Sequence, residues 1–135
     1  MFLNFLNRAE QECFLELAYS TANSDNEYVA EEKQMIEYFR NEMQLFESEY
    51  KLQNKSLDYI IKELKGSSSI IQNYIMFELL GIIYADKKLV PEEENIVQKL
   101  QEVFNFSDEK VKKMHDKVKQ IMIVYSGINE VFSED

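Results

Sequence analysis

Two acidic turns hold the residues best suited to chemistry. Asp25 and Glu32 are seven residues apart, and Asp86 and Glu93 repeat that spacing sixty-one residues later. Both Asp residues fall in turn-like stretches, and both Glu residues fall near the third position of a following helix. Carboxylate oxygens at such spacing suit a hard divalent cation, Ca²⁺ or Mg²⁺. The same residues also serve plain helix capping. A Glu at the third helical position reaches back to free amides, and an Asp accepts hydrogen bonds from turn amides. An EF-hand is excluded by position. Counting from Asp25, the sixth residue is Ala30 and the twelfth is Ile36; counting from Asp86, they are Pro91 and Val97. Neither loop has the required Gly or the bidentate Glu. A site shared between the two turns would bring Asp25, Glu32, Asp86 and Glu93 together.

Other reactive types are scarce. The chain has one Cys, Cys13, and one His, His115. No intrachain disulfide can form, which suits a reducing compartment and a cytoplasmic location. A Cys/His zinc site lacks ligands. His115 has lysines at 112, 113, 117 and 119, and reads as a solvated surface residue. No nucleophile–base set is visible, so the sequence reads as non-catalytic. Cys13 lies on an apolar pattern and reads as a small hydrophobe. Glu78 shares a helical face with Tyr74, Gly81 and Ala85, where small residues admit a close neighbour. A carboxylate there needs a partner, expected from a Tyr or Lys of another helix.

The elements that position these residues are helical. Apolar residues make up 45% and charged residues 30% of the 135, with one Pro and three Gly. Few turn formers argue against an all-β fold. Apolar spacing predicts a helix or helix pair up to Ala22, a helix from near Ala30 through Phe46, and a polar connection over 47–55. A short helix over 57–65 follows, with Ser56 as N-cap and Gly66 beyond its end. A central apolar helix is expected over 70–85, capped from Ser67, Ser68 or Ser69. Pro91 opens the next helix, with Glu92, Glu93 and Glu94 in its first turn. Ser107 caps a last helix bearing Val111, Met114, Val118, Ile121, Met122 and Tyr125, with residues 126–135 continuing it or fraying. The central stretch is too short and too polar to span a bilayer.

The halves 1–66 and 67–135 read as an internal repeat within one domain. Asp25 aligns with Asp86, Val29 with Val90, Glu31 with Glu92, and Glu32 with Glu93. The expected fold is all-α, a compact bundle of about six or seven helices in two related halves.

The turns also carry a resemblance. Ala22-Asn23-Ser24-Asp25-Asn26-Glu27-Tyr28-Val29-Ala30-Glu31-Glu32 and Tyr84-Ala85-Asp86-Lys87-Lys88-Leu89-Val90-Pro91-Glu92-Glu93 resemble the TerB-like domain of tellurite-resistance proteins. Phe104-Asn105-Phe106-Ser107-Asp108-Glu109 resembles that family's route into its last helix. The resemblance spans residues 14–125. It implies a two-part helical domain, a stress-response role of the tellurite-resistance type and metal binding at Asp25, Glu32, Asp86 and Glu93. Asn26 and Lys87 stand where the family usually has Gly after the Asp.

Charge narrows the partners. Fifteen basic against 25 acidic residues leave a net charge of −10. Nucleic acid and anionic membrane surfaces are disfavoured; divalent cations and basic protein surfaces are favoured. Eight Tyr and nine Phe supply material for an exposed aromatic patch, with Phe2, Phe5, Tyr28, Tyr50 and Phe132 as candidates. A protein partner is therefore expected, with no membrane insertion.

Overall fold

A computed structural model describes residues 1–22, 30–85 and 91–134. Among the described residues the chain forms six α-helices: α1 (Arg8–Ala22), α2 (Ala30–Met43), α3 (Leu57–Leu64), α4 (Ser69–Ala85), α5 (Pro91–Phe104) and α6 (Asp108–Phe132). A single 3-10 turn, Leu3–Phe5, precedes them. The fold is a small all-α bundle, with no strand among the described residues.

The central helix is α4. Its buried residues, among them Ile75, Met76, Leu79, Leu80 and Ile83, share one broad face, and the apolar Tyr74, Phe77 and Tyr84 on its other sides are part-buried against neighbours. The 3-10 turn, α1, α5 and α6 pack around it. Phe14, Leu15 and Leu17 of α1, Ile60 and Leu64 of α3, and Leu100 of α5 complete the core.

Local signals fix the helix starts. Ser56 Oγ accepts from the Tyr59 amide at 3.2 Å and Ser107 Oγ from the Lys110 amide at 3.1 Å. Of the three serines before α4, Ser68 is the one that caps, accepting from Ile71 N at 3.4 Å. Each bond satisfies an orphan amide of a first turn. Gly66 differs from expectation: no glycine has a positive φ, so the chain leaves α3 without a left-handed cap. A Cβ built on Gly81 would meet nothing within 4 Å. The expected close helix approach at Gly81 is therefore not what the structure uses.

The second and fifth helices match in detail. Both have 14 residues, and they start sixty-one positions apart. Both end on a non-glycine residue with positive φ, Gln44 at 52° and Asn105 at 57°. Leu45 N then donates to Arg40 O at 2.9 Å, and Phe106 N to Gln101 O at 3.0 Å. These are equivalent six-residue closures of the last turn. The side chains of Arg40 and Gln101 also match. Arg40 Nη1 donates to Leu45 O at 3.1 Å, and Gln101 Nε2 to Phe106 O at 3.2 Å.

Candidate functional site

The acidic turns are seen only in part. Asp25 and Asp86 lie outside the described residues. Glu32 and Glu93 occupy the third positions of α2 and α5. Both turn inward while Glu31, Glu92 and Glu94 stay exposed. Glu93 is the deeper, at 3% exposure. Among the described residues no three His, Cys, Asp or Glu side chains are grouped so as to hold a metal ion.

The buried carboxylate that organises the first half is Glu16, which sequence reading missed. At 1% exposure it accepts from Tyr50 Oη at 2.6 Å, Gln53 N at 2.8 Å and Lys55 N at 3.1 Å. Burial first, and the Glu16 hydrogen bond second, push the Tyr50 hydroxyl well above its ordinary pKa. Arg40, at 4% exposure, faces the same segment and donates to Leu45 O and Tyr50 O. Together they pin the connection between α2 and α3, so Tyr50 is core rather than surface. The available signal was a charge inside an apolar run: Glu16 between Leu15 and Leu17, Arg40 after Phe39.

Glu78 is partnered, but by the start of the chain rather than a Tyr or Lys. Its Oε1 accepts from Phe2 N at 2.8 Å and lies 2.9 Å from the Met1 ammonium. Glu42 also binds that ammonium. Burial opposes the ammonium's charge, but its hydrogen bonds to Glu42 and Glu78 outweigh this and hold its pKa above the ordinary value. The cation between these two carboxylates is thus the chain's own amine.

His115 is not a solvated surface residue. It is part-buried, and its Nδ1 shares a 2.6 Å hydrogen bond with Tyr84 Oη, tying α6 to α4. Burial and then Lys119 hold its pKa below the ordinary value, against a smaller opposing pull from Asp116. Beside the pair lies a cavity of about 250 Å³, flanked by Glu94 and Gln101. Cys13 is part-buried, and burial raises its thiol pKa. A raised thiol is a poor nucleophile near neutral pH.

The least explained surface is the far half of α6. Val111, Met114, Val118, Ile121, Tyr125, Ile128 and Phe132 follow one another in steps of three and four. The early members pack on the core. The late ones do not: Tyr125 is 54%, Ile128 40% and Phe132 79% exposed, and Val124 and Val131 beside them are also exposed. Residues 126–132 continue the helix rather than fray. An open groove of about 490 Å³ runs here between Met1 and the α6 residues Lys117, Ile121, Val124, Tyr125 and Ile128. Phe5 and Tyr38 are exposed as well. A contiguous apolar stripe of this kind exceeds the scattered hydrophobes of an ordinary surface. Among the described residues no helix is long and apolar enough to cross a membrane.

No family model matches this chain, and no curated protein or solved structure matches it either. The resemblance to the TerB-like domain therefore rests on the turn motifs themselves.

Proposed function

We propose that this chain is a non-catalytic helical docking domain that binds a protein partner through the far half of α6. The observation that carries this reading is the apolar seam that continues past the core to Phe132 with its spacing intact and its side chains exposed. Helix-in-groove recognition uses anchors at this spacing. A photo-crosslinking residue at Phe132 or Tyr125, introduced into the full chain in cells, should give a discrete adduct. The same probe at Glu130, on the opposite side of the helix, should not. Equal adducts from both faces, or none from the seam, would overturn the reading.

A second reading follows the TerB-like resemblance: a stress-response domain binding Ca²⁺ or Mg²⁺ through Asp25, Glu32, Asp86 and Glu93. The inward turn of Glu32 and Glu93, beside exposed neighbours, favours it. Calorimetric titration of chelator-treated protein with each cation should then give saturable heats that Asp25→Asn and Asp86→Asn abolish. Unsaturable heats, unchanged in both variants, would leave these carboxylates as helix caps.

A further inference from the structure

We propose that the exposed seam of α6 is a homodimer interface, in which two copies of this chain pair their α6 helices antiparallel about a twofold axis near Val124. This rests on the docking reading above and supplies the partner.

The seam is suited to its own copy. Steps of three and four are the spacing at which helices interlock over several turns. A stripe that follows this rule and faces solvent is self-complementary across a twofold axis. Pairing over 117–132 would bury a contact roughly 24 Å long at 1.5 Å per residue.

Charge decides the direction. Over residues 108–119 five lysines outnumber Asp108, Glu109 and Asp116, whereas the charged residues after 120 are Glu130, Glu134 and Asp135, all acidic. In an antiparallel pair the lysine-bearing half of each helix runs beside the acidic end of the other. In a parallel pair the two net-basic halves would lie together, as would the two acidic ends, which is unfavourable. Each copy also carries a net charge of −10. Antiparallel pairing sets the two bodies at opposite ends of the contact, where screening weakens their repulsion.

The groove supplies a receptor. With the axis near Val124, Phe132 of one copy falls at the level of Lys117 in the other. That is one end of the groove between α6 and Met1, whose volume of about 490 Å³ can take a phenyl ring. Phe132 is the most exposed of the large hydrophobic residues, at 79%, and here it gains a pocket.

The test is sedimentation of the full chain over a concentration series. The expected species is a reversible dimer of twice 16.1 kDa. Ile128→Glu and Phe132→Glu should each weaken it by about 30-fold or more. Because both side chains are exposed, helicity and thermal midpoint should not change. In a Cys13→Ala background, Val124→Cys should form a disulfide with itself. Phe132→Cys should not, yet should cross-link when mixed with Lys117→Cys. A chain that stays monomeric up to about 1 mM, or Phe132→Cys pairing with itself, would overturn the proposal. If the monomer still gives seam adducts carrying another protein's mass, the homodimer falls and the docking reading stands. A monomer with no seam adduct removes both.

Discussion

The two halves of the molecule run in parallel as far as Leu45 and Phe106, then diverge. Up to that point they share helix length, a left-handed terminal residue and a side chain that closes on the same carbonyl. After it, the first half spends residues 46–56 on an irregular connection and ends in the eight-residue α3, whose apolar residues Ile60, Ile61 and Leu64 are buried. The second half enters the 25-residue α6 almost at once and leaves its far end uncovered. The same plan therefore yields one closed half and one open half. In the closed half the buried Glu16 and Arg40 pin the segment that follows α2; in the open half Glu93 is buried at the start of α5, and the segment that follows α5 is tied to α4 by the part-buried Tyr84–His115 pair. The side of the bundle that presents surface is the side whose clasp is only part-buried.

The largest expected effect tests that difference at equivalent positions. Glu16→Ala would strip the acceptor from Tyr50 Oη and two backbone amides, and Arg40→Ala would strip the donor from two buried carbonyls. Each should cost about 3 kcal/mol or more in urea unfolding, a large part of a typical domain's stability. Gln101→Ala removes the matching contact in the second half, where the side chain is only part-buried and neutral. It also loses a 2.7 Å bond to Asp108. About 1 kcal/mol is expected. Equal costs at Arg40 and Gln101 would erase the distinction between a closed and an open half.

A smaller effect, of opposite sign, sharpens the likeness between the halves. Gln44 and Asn105 both hold a left-handed backbone. That region disfavours Gln more than Asn, and Gly not at all. Gln44→Gly should raise stability by about 0.5–1 kcal/mol, after the entropy that Gly adds to the unfolded chain. Asn105→Gly should change it by a few tenths. Thermal midpoints of both variants would show the ordering; a loss at Gln44 would mean the side chain matters more there than the backbone.

What could be read from the sequence follows from how local each signal is. The Ser56 and Ser107 caps act on an amide three residues away, and both are used. The spacing between α2 and α5 needs only the apolar pattern and Pro91. The central helix announces itself because apolar residues cover all its faces. By contrast, Glu16 meets partners 34 to 39 residues along the chain, and His115 meets Tyr84 across 31. No spacing rule carries such a pairing, so neither the Glu16 contacts nor the Tyr84–His115 bond is legible in the sequence. The far half of α6 was obscured for another reason. The sequence leaves residues 126–135 open to continuing or fraying, whereas the helix runs on to Phe132 and Ile128 and Phe132 keep the seam going. An apolar stripe also looks the same in sequence whether its cover lies within the chain or outside it. Only the fold shows that the cover runs out after Met122. For the acidic turns, Glu32 and Glu93 are placed and Asp25 and Asp86 lie outside the described residues.

The smallest effect concerns the clasp of the open half. His115 is held below its ordinary pKa of 6.5 by burial and by Lys119, with Asp116 pulling the other way and Glu94 across the adjoining cavity. Below 6.5 the unfolded chain therefore takes up a proton that the folded chain resists, so folded stability falls as pH drops through that range. Its contribution is complete above the ordinary value and is lost on the way down to the folded pKa. This is opposite in sense to a histidine that gains an acidic partner. His115 is the one His of the chain, so the part of the slope below 6.5 that its replacement removes belongs to it. His115→Gln should flatten that slope. In the folded chain the ring resonances should titrate below 6.5, and Lys119→Ala should move that midpoint up. A midpoint at or above 6.5 in the unaltered chain would mean that burial and Lys119 do not hold the ring neutral, and that His115 stands more open to solvent than its place beside Tyr84 in the fold implies.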